Sequence, residues 1–84
     1  MKKSYHYIKF ELSQATVDIW IVRNKKLGDI LGNVLWAKRW KQWVFMPNEV
    51  HRPIFSVACM KDTIDFIGQL EPMSEKDQEV MFDV

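Results

Sequence analysis

Cysteine is almost missing from this chain: Cys59 is the only one among 84 residues. A lone thiol closes no internal disulfide, so this is not a disulfide-stapled scaffold, and no oxidising compartment is implied. Glycine is scarce. Gly28, Gly32 and Gly68 make neither a phosphate-cradling loop nor a dinucleotide fingerprint. His6 and His51 stand far apart with no partner at ligand spacing, which leaves no zinc pattern. Apolar runs stop at four residues, as in Ile19-Trp20-Ile21-Val22, far short of a membrane span. Met1-Lys2-Lys3 is basic, but no apolar stretch follows before Lys9 and Glu11, so no signal peptide is expected. These absences point to a cytoplasmic protein with no membrane partner, no metal and no cofactor.

What the chain does have is aromatic rings and a divided charge. Four Trp, five Phe and two Tyr occur in a single-domain length. Each buries about 150–250 Å², enough for a few to dominate a thin core or an interface. The net charge of +1 conceals two halves. Residues 1–53 hold ten Lys/Arg against four Asp/Glu, and residues 54–84 hold two against seven. A basic half invites a polyanion, although an acidic half beside it cancels much of the field.

The periodicity predicts an α+β fold: a small antiparallel β-meander of three to four strands, about residues 4–46, and one amphipathic helix over about 57–70, with an acidic tail at 72–84. The whole reads as one domain, 1–84. Residues 4–12 alternate, with His6, Ile8, Phe10 and Leu12 opposite Tyr5, Tyr7, Lys9 and Glu11. Residues 17–23 alternate again, and their β-branched and aromatic content favours a strand. Asn24 to Asp29 reads as a hairpin loop in which Gly28 supplies a positive φ. A third strand spans 30–37, where Gly32 marks a bulge or a close backbone approach. Lys38-Arg39 makes a turn, and a fourth strand runs from Trp40 to Met46 before Pro47.

Beyond the Pro47–Phe55 loop the period changes. Ser56 is a suitable N-cap. Val57, Met60, Ile64 and Ile67 recur at helical spacing as the expected core stripe, widened by Cys59, Phe66 and Leu70. Gly68 and Pro72 end the helix. Ser74-Glu75-Lys76-Asp77 has the form of a capping box, which starts a short final helix unless the acidic tail frays.

No catalytic constellation is legible, so an enzyme is not expected. Cys59, in the first turn of the helix, has two readings: a thiol activated by the helix amides with His51 as base, or a small apolar core residue. The sharpest feature is Trp36-Ala37-Lys38-Arg39-Trp40-Lys41-Gln42-Trp43. Rings interleaved with cations suit single-stranded nucleic acid, with Lys25 and Lys26 adding phosphate contacts from the preceding loop. A hairpin with core tryptophans and a solvated turn accounts for the same residues. The middle strands are also apolar on both parities, more than one helix covers. The expectation is therefore a binding module, working through protein contact or self-association. Its candidate surface is Trp20, Trp36, Trp40 and Trp43, edged by Lys38, Arg39 and Lys41. Nucleic-acid binding is the alternative.

One pattern extends over residues 20 to 70: Leu31-Gly32-x-Val34-x-Trp36, then Trp40-Lys41-Gln42-Trp43-x-Phe45-x-Pro47, then Phe55-Ser56 and Cys59-Met60-x-Asp62-x-Ile64-x-Phe66-Ile67-x-x-Leu70. It resembles a family of small uncharacterised proteins encoded by bacteriophages, prophages and other mobile elements of bacteria. That family more often reads Arg-Gln-Tyr at Lys41-Gln42-Trp43 and Cys-Leu at Cys59-Met60. The resemblance implies a mobile-element accessory protein in a bacterial cytoplasm. It implies no activity, cofactor or catalytic residue.

Overall fold

A computed structural model describes residues 1–16, 18–49 and 54–73. Four strands lie side by side in chain order: β1 (Ile8–Leu12), β2 (Trp20–Asn24), β3 (Ile30–Ala37) and β4 (Gln42–Pro47). All neighbours are antiparallel. Among the described residues one helix, α1 (Val57–Gly68), packs on the sheet, so the fold is α+β.

The register sorts the side chains. Leu12, Trp20, Val34 and Phe45 form one cross-strand row, and Phe10, Val22, Gly32 and Pro47 form the next. Residues opposite one another share a face, so the aromatics Phe10, Trp20, Trp36, Trp43 and Phe45 all stand on one side. That side faces α1. The buried centre is Tyr5, Ile8, Phe10, Val22, Val34 and Phe66. Burial at roughly 25 cal/mol per Å² of apolar surface makes this cluster the main source of stability.

The N-terminus differs from a plain first strand. Ser4 bridges to Lys9, Phe10 N–H donates to the Lys3 carbonyl (2.8 Å) and Tyr5 N–H donates to that of Ile8 (2.9 Å). The chain reverses at His6-Tyr7, so Tyr5 returns to the core and meets Phe10 edge-on at 5.7 Å. Alternation alone had grouped Tyr5 with Lys9 and Glu11. β2 likewise begins at Trp20, later than the expected 17, and Val17 lies outside the described residues.

Both readings of Gly32 hold. The β2–β3 register shifts between Val22 and Arg23, and a Cβ at Gly32 would overlap the Met46 carbonyl oxygen and sit 2.7 Å from Phe45 Cζ. Gly28 adopts φ 80° in the loop after β2, where Asn24 Oδ1 accepts from the Lys26 and Leu27 amides at 2.9 Å each. Trp40 belongs to the next turn and not to β4. The amides of Trp40 and Lys41 both donate to the Ala37 carbonyl, and Lys41 takes φ 53°, so pairing restarts at Gln42.

Ser56 caps α1 by accepting from the Cys59 amide at 3.1 Å. The helix is rotated from the expected stripe. Phe66 and Thr63 are its buried residues, and Thr63 Oγ1 satisfies itself on the Cys59 carbonyl at 2.9 Å. Met60 and Ile64 remain 48% and 70% exposed, and Val57 is exposed as well. Phe66 sets this rotation: it stacks on Phe10 at 4.0 Å and meets Trp20 edge-on at 5.1 Å. Seating the aromatic turns the aliphatics at 57, 60 and 64 outward. Residues 50–53, which include His51 and Pro53, and the capping-box segment at 74–77 lie outside the described residues.

Candidate protein-binding surface

The four tryptophans do not form one surface. Trp20 packs against Phe66 beneath the helix. Trp36 is 3% exposed, and its buried Nε1 has no hydrogen-bond partner among the described residues. Trp43 meets Trp36 edge-on at 5.6 Å, and its Nε1 donates to the Glu71 carbonyl at 2.8 Å. Only Trp40 of the four is largely exposed, at 63%. It shares its turn with the exposed Lys38, Arg39 and Lys41.

Lys25 and Lys26 are not part of that rim. A meander alternates its turns between the two ends of the sheet. The loop carrying Lys25 and Lys26 is therefore a strand's length from the Lys38–Lys41 turn, about 25 Å at 3.3 Å per residue along β3. Lys25 is also committed, with Nζ donating to the Tyr5 carbonyl at 2.8 Å.

The sheet face turned away from α1 carries Ile19, Ile21, Ile30, Leu35, Val44 and Met46. Ile21, Leu35 and Met46 lie on the floor of a shallow groove of about 710 Å³. Its flank at β1 is polar: Glu11 takes Lys9 Nζ and Arg23 Nε, each at 3.1 Å. The hydrogen bond from Lys9, and then that from Arg23, holds the Glu11 carboxyl below its usual range. Ile19 and Leu35 are already buried, so this face offers less apolar surface than strand parity suggested.

The more purely apolar groove lies at the other margin. Of the strands, β4 is the one the helix backbone runs nearest. Between the two, Phe45, Pro47, Phe55, Met60, Ile64 and Ile67 line a nearly wholly apolar groove of about 380 Å³. Phe55 closes one end by meeting Phe45 edge-on at 5.0 Å. Among the described residues β4 is also a sheet edge, and Gln42–Pro47 contains no charged residue. Proteins usually blunt such edges with charge, because unpaired backbone groups invite another strand. The opposite edge is treated that way: β1 carries Lys9 and Glu11 and is bonded along its outer side by residues 3 and 5.

A polar network fixes α1 over the sheet. Tyr5 Oη donates to Asp65 at 2.6 Å, and Gln69 exchanges amide hydrogen bonds with the Lys2 backbone at 2.8 and 2.9 Å. Burial, and next the bond to Asp65, pushes the Tyr5 phenol well above its usual value. Cys59 is half-buried against the core cluster, as the packing reading has it.

Sequence reasoning missed the Met60–Ile64 margin because it placed both residues in the core. One signal was available: β4 has no charge where β1 has two. Among the described residues no three His, Cys, Asp or Glu side chains gather as metal ligands, and no helix is long and apolar enough to cross a membrane. The described residues form a four-stranded antiparallel sheet with one helix on one face. Comparisons with family models, curated proteins and solved structures each returned no match.

Proposed function

We propose that this chain is a non-enzymatic binding module that engages protein at the β4 margin, by adding a strand to the sheet and filling the groove beneath α1. The observation that carries the reading is the coincidence of two features. An uncharged edge strand lies beside the exposed side chains of Met60 and Ile64. Strand addition supplies main-chain hydrogen bonds, and a neighbouring apolar groove supplies specificity. The resemblance of residues 20–70 to mobile-element proteins adds a setting: an accessory protein of a bacterial cytoplasm that acts through contact with a macromolecule. The surface moves from the tryptophans to this margin because three of the four lie on the helix-covered face.

The test is selection of extended peptides from a random library against the intact chain, followed by NMR mapping. Selected peptides should shift the amides of β4 and α1 and lose affinity in Ile64→Lys. Peptides that shift only the face carrying Ile21 and Leu35 would reject the β4 site.

A second reading rests on Trp40. An exposed ring among Lys38, Arg39 and Lys41 suits base stacking with phosphate contacts. It requires a mobility shift with single-stranded probes that weakens steeply with salt and is lost in Trp40→Ala. No shift at low salt removes this reading.

A further inference from the structure

The backbone of β4 specifies how its partner must be shaped. In an antiparallel ladder, successive residues point their N–H and C=O alternately toward one neighbour and the other. Asn48, next after β4, donates its amide to the Leu31 carbonyl at 2.9 Å. The even-numbered residues therefore bond toward β3, and Trp43 and Phe45 turn their backbone groups outward. Pro47 belongs to the outward set, where its missing N–H costs no bond to β3. At the other end, the positive φ of Lys41 stops the strand. The free edge is thus short, with one donor and one acceptor on each of Trp43 and Phe45. Among the described residues β3 is the only strand paired with β4.

We propose that the partner is a second copy of this chain, with β4 pairing antiparallel to its own counterpart across a two-fold axis at Val44. This rests on the reading of the β4 margin as a protein-binding site and names its occupant. A two-fold normal to the sheet keeps each residue on its own face, so the axis must pass through a residue and not between two. Centred on Val44, Trp43 of one copy lies opposite Phe45 of the other, and the two exchange both of their outward hydrogen bonds. Every outward N–H and C=O of Trp43 and Phe45 is then satisfied. Centred on Phe45, Trp43 meets Pro47, and its carbonyl faces a residue with no N–H to give.

Side chains agree with the Val44 axis. On the helix face the pair is aromatic with aromatic, Trp43 with Phe45, which favours cross-strand association. On the far face Val44 meets its own copy. The uncharged strand brings no like charges together. Both helices come to one side of the joined sheet, and their exposed Met60 and Ile64 margins face each other across the seam. An isologous contact of this kind closes on itself and stops at two copies, and it removes the unprotected edge of each sheet.

Sedimentation equilibrium of the full chain should give twice the 10.0 kDa chain mass. Ile64→Lys, at a site 70% exposed, should keep the circular dichroism of the fold and weaken dimerisation at least tenfold. Val44→Cys combined with Cys59→Ser should oxidise to a covalent dimer. Directly opposed residues of a non-hydrogen-bonded pair lie about 4.5 Å apart at Cα, within disulfide reach. Met46→Cys in the same background should cross-link far less. A wild-type monomer at all concentrations overturns the proposal, and library peptides that still map to β4 would then leave the binding reading standing. A dimer that neither cross-links through Val44→Cys nor responds to Ile64→Lys also overturns it.

Discussion

Phe10 and Phe66 stack face to face, with ring centroids 4.0 Å apart and planes 3° from parallel. This contact joins β1 to α1, the two elements furthest apart in sequence. It fixes which side of the helix is buried, and so which side carries the exposed Met60 and Ile64.

Phe66→Ala should therefore be the most damaging single change in the helix. Truncating a buried Phe costs about 3–5 kcal/mol, against a total of roughly 5–15 kcal/mol for a domain. Urea unfolding followed by circular dichroism should show a large loss of midpoint. Ile64→Ala, on the outer face, should change the stability of the single folded chain by under about 0.5 kcal/mol.

Two glycines should respond with opposite signs. Gly32→Ala should destabilise, because the added Cβ collides with the Met46 carbonyl and the Phe45 ring. At Gly68 a Cβ meets nothing within 4 Å among the described residues, and alanine there should stabilise by roughly 0.5–1 kcal/mol through helix propensity. Thermal melts of the two variants check this directly.

Stability should fall at high pH through Tyr5. Its folded phenol binds the proton more tightly than the unfolded one, through burial and then the bond to Asp65. Its contribution is complete below the unfolded value of about 10. It is lost as pH rises from there toward the raised folded value. Urea midpoints should decline as pH rises from about 10 to 11, and Tyr5→Phe should flatten the decline.

Glu11 should act at the other end of the scale. Lys9 and Arg23 depress its folded value, so its contribution is present above the unfolded value of about 4.3. It disappears as pH falls through the depressed one. An NMR titration should place the Glu11 carboxyl below the ordinary glutamate range, and Arg23→Ala should move it upward.

The residues themselves determined an antiparallel sheet of three to four strands, the turn at Gly28 and the Ser56 cap. Each of these rests on local chemistry: alternation, β-branching, a positive φ or a side-chain acceptor. β3 was legible over its full span because Ile30 to Ala37 has no competing signal. The tertiary structure decided what depends on contacts distant in sequence. It returned Tyr5 to the core through a reversal that alternation does not encode. It rotated α1 because Phe66 found Phe10 and Trp20, a choice invisible to a stripe that places Met60 and Ile64 equally well inside. It put Lys25 and Lys26 at the far end of the sheet from Trp40, because a meander alternates its turns. The binding margin lay beyond periodicity for the same reason. It is made where a strand edge meets a helix face, and that meeting is set by packing across the whole chain.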